Sequence, residues 1–190
     1  MKFLVFVFLL IIATASTIRA FDYTESDYDS DLLENLDEIE NMFDNAMAQM
    51  NLTALPSATC AKAASAAKRY ATCGCPYVWG GSSCGCGSGG LDCSGLVYRS
   101  YLDAGYSGIT RVTTTQIRQG SGCNSGCSAG NTGNCKTGDL LFYCFSGSNC
   151  PDHVMMYIGG GKAAECPKPG SNCRVLTPYT QAYYGCRSMC

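Results

Sequence analysis

Leu91-Asp92-Cys93-Ser94-Gly95-Leu96-Val97 is the stretch that decides how this chain folds. A glycine-rich run from Gly80-Gly81 to Gly89-Gly90 leads into it. Leu96, Val97, Ser100, Tyr101 and Ala104 follow at helical spacing, with Gly105 as a stop signal. The pattern predicts a loop, then a buried helix with Cys93 in its first turn. Unpaired N–H groups and the dipole at a helix N-terminus stabilise a thiolate. Cys93 is therefore a candidate nucleophile. In a chain with 15 cysteines it is also a candidate disulfide half.

The chain holds one histidine, His153, directly before an apolar run at Val154-Met155-Met156-Tyr157-Ile158 that reads as a buried strand. If Cys93 is a nucleophile, His153 is the one imidazole that can serve it. A cysteine at a helix start facing a histidine on a sheet is the geometry of papain-like hydrolases. Taken alone, Pro151-Asp152-His153 is a surface turn.

Working outward, Cys60 to Cys73 is alanine-rich and reads as a helix, and residues 74–92 read as loop. Residues 105–138 are rich in Gly, Ser, Thr and Asn and read as a long irregular segment. Asp139 to Tyr143 is a second buried strand. Gly159-Gly160-Gly161 turns the chain into a strand at Lys162-Ala163-Ala164-Glu165, and a short one follows at Arg174 to Leu176. Helices followed by strands predict an α+β domain with a mostly antiparallel sheet.

The 190 residues and 46% hydrophobic content suffice for one cored domain plus extras. Residues 1–20 read as a secretory signal: Lys2, an apolar run from Phe3 to Ala13, then small-residue cleavage sites. That run is short for a membrane span. Between Phe21 and Met50 lie ten acids and no Lys or Arg, whereas from Asn51 onward there are eleven Lys/Arg and five acids. Leu32, Leu36, Ile39, Phe43, Met47 and Met50 form an amphipathic stripe in the acidic part. Residues 21–57 are thus an acidic spacer or a prosegment, and 58–190 the domain proper. Asn51-Leu52-Thr53 is a glycosylation sequon.

All fifteen cysteines lie after these segments, and fifteen is odd. In an oxidising compartment seven disulfides leave one thiol, which the chemistry above requires to be Cys93. The C-x-C spacings and the single histidine argue against zinc, so no metal or cofactor is expected.

Taken together the residues resemble the NlpC family of peptidoglycan cysteine endopeptidases. Tyr77-Val78-Trp79-Gly80-Gly81 is similar to its leading Tyr-x-Trp-Gly-Gly. Residues 91–97 match its nucleophile motif. Thr137-Gly138-Asp139-Leu140-Leu141-Phe142 is similar to its Gly-Asp-Leu strand start, and His153-Val154 through Gly159-x-Gly161 to its base strand. The resemblance implies a papain-like fold and cleavage of bacterial stem peptides, often between D-glutamate and a diamino acid. It implies Cys93 as nucleophile and His153 as base. Tyr77 would sit beside the thiol, with Asp92 and Ser94 shaping the pocket for the stem's amine or backbone, and Trp79 would serve packing. The third catalytic position, usually His, Asn or Gln, falls here on Glu165, which implies a carboxylate in the orienting role or an altered site.

The expected protein is a secreted or lumenal monomer (a vacuole or lysosome included), antibacterial or bacteria-digesting. Its expected partner is peptidoglycan or muropeptides, with no nucleic acid and no membrane. The alternatives are an idle, disulfide-rich wall-binding or defence protein, and another amidase or acyltransferase on the same fold. If the acidic segment is an inhibitory prosegment, protein beginning near Ala58 will be more active than protein beginning at Phe21. The gap will narrow at high salt as screening weakens the contact; equal activities at low salt would leave only a spacer.

Overall fold

Two helices and a six-stranded sheet carry the site. The computed structural model describes residues 54–190, all within one unit, Ala48–Cys190. The signal-like run, the acidic segment and the Asn51 sequon lie outside the described residues.

Helix α1, Ser57–Thr72, starts after Pro56 and buries Cys60, Ala63, Ala64, Ala67, Tyr70 and Ala71 along one face. Small side chains on that face let it pack closely on α2, Cys93–Asp103. Where α2 ends, Tyr70 Oη and Arg69 Nη2 donate to Asp103 Oδ2 at 2.6 and 2.7 Å, and Arg99 pairs with Oδ1 at 2.6 Å. Burial alone would raise the Asp103 pKa, but these donors hold it below the usual carboxylate range.

A two-stranded hairpin, β1 (Ser82–Cys84) and β2 (Gly89–Leu91), precedes α2. A four-residue helix α3, Thr113–Gln116, follows it. The main strands are β3 (Ser121–Gly122), β4 (Leu140–Tyr143), β5 (His153–Gly159), β6 (Lys162–Glu165), β7 (Arg174–Leu176) and β8 (Tyr183–Ser188). They form one antiparallel sheet in the order β3-β8-β4-β5-β6-β7.

The two-residue period of β4 and β5 divides the core. Leu140, Phe142, Val154 and Met156 pack with the helices. Leu141, Tyr143 and Met155 join Ala163 and Ala129 on the opposite face. Both strands are covered on both sides, which is why they read as continuous apolar runs. The fold is α+β, helices packed on an antiparallel sheet, as expected from the sequence.

Seven disulfides brace the domain: Cys60–Cys190, Cys73–Cys86, Cys75–Cys84, Cys123–Cys186, Cys127–Cys135, Cys144–Cys150 and Cys166–Cys173. Cys93 is the one free cysteine among the described residues.

Three features differ from the sequence expectations. Residues 74–92 are not all loop, because two disulfides bracket the glycine-rich β1–β2 hairpin. Residues 105–138 contain α3, β3 and a 3-10 turn at Thr132–Asn134. Strand β8 lies inside the sheet between β3 and β4, although Tyr-Tyr-Gly-Cys-Arg-Ser offers no apolar alternation to announce it.

The approach of the hairpin to α2 requires glycine at position 95. A methyl group there would collide with Gly81 O and crowd Asp92 Oδ1. Gly95→Ala should cost about 1–3 kcal/mol, read as a lower midpoint in thermal unfolding of the oxidised protein. An unchanged midpoint would mean the hairpin can move aside freely.

Candidate active site

Asp92 fixes the amino end of α2. Its Oδ1 accepts the Gly95 N–H at 2.7 Å, the N-cap bond of the helix. Its Oδ2 accepts the Gly80 N–H at 2.8 Å. Arg111 grips both oxygens, each at 2.9 Å. Arg111 also donates to Gly81 O at 2.8 Å and to Ser94 Oγ at 2.9 Å. The carboxylate thereby joins the turn after Tyr77, the start of α2 and the segment after α2.

Cys93 occupies the first position of the capped helix and is partly exposed. Tyr77 lies next to it: burial first, then the Cys93 and Asp92 charges, push the phenol up to about 12. The hydroxyl therefore keeps its proton.

His153 begins β5, opposite Tyr143 on β4, and is 7% exposed. Its Nε2 lies 2.8 Å from Glu165 Oε2. An ionised carboxylate can only accept, so Nε2 carries the proton, and Nδ1 is left for its other hydrogen-bonding neighbour, Cys93. Burial opposes charging the ring. The hydrogen bonds to Cys93 and Glu165 outweigh it and lift His153 to about 9.

Glu165 ends β6 and is fully buried. Burial would raise its pKa. Hydrogen bonds from His153, from Tyr179 Oη at 2.7 Å and from Arg174 Nε at 2.9 Å instead hold it below the usual range. Arg174 stands opposite Glu165 in the β6–β7 register.

A cleft of about 740 Å³ opens over these groups, lined among others by Tyr77, Asp92, Cys93, Ser94, His153 and Glu165. All six residues singled out in the sequence therefore border one cavity. Trp79 corrects the expectation that it serves packing: it is 85% exposed and borders the cleft. It occupies the second position of the Val78–Gly81 turn, closed by a Gly81 N–H to Val78 O bond of 2.9 Å. Gly80 takes the positive φ of 73° that the third position needs, and the turn throws the indole outward.

Arg111, Arg174 and Tyr179 were not singled out from the sequence. Arg111 sits in a segment with no periodic signal. Arg174 could have been found from the register of a β6–β7 hairpin closed by Cys166–Cys173, had that pairing been known. Two sulfur-rich groups could by distance hold an ion, Cys73/Cys75/Cys86 and Cys123/Cys127/Cys186 with Asp139. Every sulfur in them is engaged in a disulfide.

The NlpC/P60 family model matches residues 74–188. The chain belongs to the NlpC/P60 family. It is 38% identical over 105 residues to a gamma-D-glutamyl-L-lysine dipeptidyl-peptidase of Bacillus subtilis, covering 55% of this chain and 31% of that protein. The chain spans less than half the length of the curated relatives it matches. The solved NlpC/P60 domain of the peptidoglycan hydrolase SagA superposes with a TM-score of 0.51 at 30% identity, over 68% of this chain and 97% of that one. Two solved structures of the interacting protein RipA, one altered at a histidine and one at a glutamate, superpose with TM-scores of 0.50 and 0.51. They are 26% and 27% identical and cover 69% of this chain and 63% of theirs.

The charge state of this NlpC/P60 site is measurable. The His153 ring should titrate with a midpoint near 9 by NMR. Its pKa is raised on folding, so its contribution to stability is complete below about 6.5 and is lost as pH rises through about 9. Glu165→Gln removes the charge that favours the cation and should lower the midpoint. A midpoint at or below 6.5 in the wild type would contradict this electrostatic picture.

Proposed function

We propose that this chain is a secreted cysteine peptidase that cuts peptidoglycan stem peptides, at the bond between a D-glutamyl residue and a diamino acid. The observation that carries this reading is the one unpaired cysteine, at a capped helix start, beside a histidine anchored on a buried carboxylate. Membership of the NlpC/P60 family and the likeness to a gamma-D-glutamyl-L-lysine dipeptidyl-peptidase support the substrate class.

In this reading Cys93 attacks the amide carbonyl as thiolate, forming the S–C bond. Gly95 and Leu96 already donate to Asp92, so the N–H groups of Cys93 and Ser94, for which a helix has no internal acceptor, receive the oxyanion. His153 gives its proton to the leaving amine as the C–N bond breaks. It then takes a proton from water, which attacks the thioester and releases the acid and Cys93. Glu165 keeps the ring aligned and offsets its charge. The twelve-residue spacing of His153 and Glu165 equals that of the histidine and glutamate altered in RipA. Tyr77, Asp92 and Ser94 shape the pocket, Asp92 through its cap and Arg111 bonds. Secretion is supported by the seven disulfides, which persist in oxidising compartments. Among the described residues no helix is long and apolar enough to cross a membrane.

Digestion of purified peptidoglycan should release fragments with new D-glutamyl carboxyl ends, identified by mass spectrometry. Cys93→Ala should abolish their release and His153→Ala should slow it by orders of magnitude. Glu165→Gln should be milder. A Cys93→Ala protein that solubilises cell wall at the wild-type rate would overturn the reading.

A further inference from the structure

We propose that Lys168 binds a free carboxylate of the substrate and sets a preference for stem peptides that carry one. The inference rests on the stem-peptide reading of the cleft and adds a specificity determinant to it.

Lys168 lines the cleft, and its ammonium is the one charge there left without a partner among the described residues. Asp92 is held by Arg111. Glu165 is held by His153 and Arg174. Arg174 also donates to Tyr179 at 2.8 Å, and its charge is opposed by Glu165. Asp152 accepts the N–H groups of Phe145 and Ser146 at 2.9 and 2.6 Å. Among the described residues Lys168 is therefore the lining cation that no carboxylate opposes.

The backbone that presents Lys168 is fixed. It lies between Pro167 and Pro169 in a loop closed by the Cys166–Cys173 disulfide. Its carbonyl accepts the Ser171 N–H at 3.2 Å, which folds the loop into a turn. The loop is tied in turn to the segment carrying Tyr77: Tyr77 N–H donates to Ser171 O at 2.8 Å, and Cys173 N–H to Cys75 O at 2.7 Å. Lys168 thus projects from a base locked both to Tyr77, which flanks the thiol, and to Glu165 three residues earlier. Ordering only the lysine stem is a small cost beside ordering a loop, so a pre-fixed base favours binding.

The stem peptide offers two carboxylates of the required chemistry. One is the α-carboxylate of a γ-linked D-glutamyl residue, neutral when amidated. The other is the second carboxylate of a diaminopimelyl residue, absent when the diamino acid is lysine. Both present a carboxylate that can pair with the Lys168 ammonium, and the test separates the two sources.

Four synthetic peptides combine D-isoglutamyl or D-isoglutaminyl with diaminopimelyl or lysyl residues. Each is assayed with wild type, Lys168→Gln and Lys168→Arg. The wild type should lose about tenfold in kcat/KM, chiefly through KM, when the recognised carboxylate is neutralised. The position that produces the loss names the source. Lys168→Gln should show the same loss on the carboxylate peptide and none on its neutral counterpart, and Lys168→Arg should retain most of the preference. Equal effects of Lys168→Gln on all four peptides, or none on any, would overturn the inference while leaving the peptidase reading intact. If the wild type cuts none of the peptides, the peptidase reading fails, and protection of Cys93 from iodoacetamide by the same peptides decides the Lys168 question. Stronger protection by the carboxylate forms, lost in Lys168→Gln, supports it; indifference to the carboxylate contradicts it.

Discussion

The Asp92 carboxylate is the constraint on which the site depends. It accepts two backbone N–H groups from separate segments and a two-pronged ion pair from Arg111. Hydrogen bonds to a charged group are worth about 1.5–3 kcal/mol each, and leaving such a group buried and unpaired costs more. Loss of any one of these partners would release the Tyr77 turn, the start of α2 or the segment after it. Cys93 follows Asp92 directly, so the direction in which its thiol points is set by this cap. Gly95 completes the node by admitting the Gly81 carbonyl where a side chain would stand.

The second half of the site is built on the sheet, and electrostatics joins it to the first. Glu165 has no exposure and holds its charge through three donors from β5, β7 and the Tyr179 segment. That charge fixes which ring nitrogen of His153 bears the proton and favours the cation. The Tyr143 and Phe145 rings lie with their centroids 6.0 and 5.9 Å from that of His153. The alanine face of α1 packs into the core between helices and sheet, and Cys60–Cys190 ties α1 to the segment after β8. Lys168, on its own disulfide-closed loop, belongs to the same rigid frame.

Much of this was legible in the sequence because the signals were local. The apolar runs at 139–143 and 154–158 are central strands covered on both faces, and the spacing after Cys93 is a buried helix face. Counting cysteines predicted seven disulfides and one thiol. What the sequence did not disclose was non-local. Strand β8 has no apolar period and takes its place from its neighbours and from Cys123–Cys186. Arg111 and Arg174 reach the site across the fold, and nothing in their immediate neighbours marks them. Trp79 departs from the packing role expected of a large apolar ring because a tight turn leaves it exposed at the cleft.

In the proposed reading Cys93, His153 and Glu165 act together, the thiol beside the ring and the ring anchored on the carboxylate. The most direct test is iodoacetamide alkylation of the native, unreduced protein, followed by peptide mapping and by rates across pH 5 to 8, below the His153 midpoint near 9, where the ring is charged. One equivalent of label is expected at Cys93 alone, with a rate at the acidic end that falls in His153→Ala and, to a smaller extent, in Glu165→Gln. Label at another cysteine, or rates that ignore both substitutions, would contradict it.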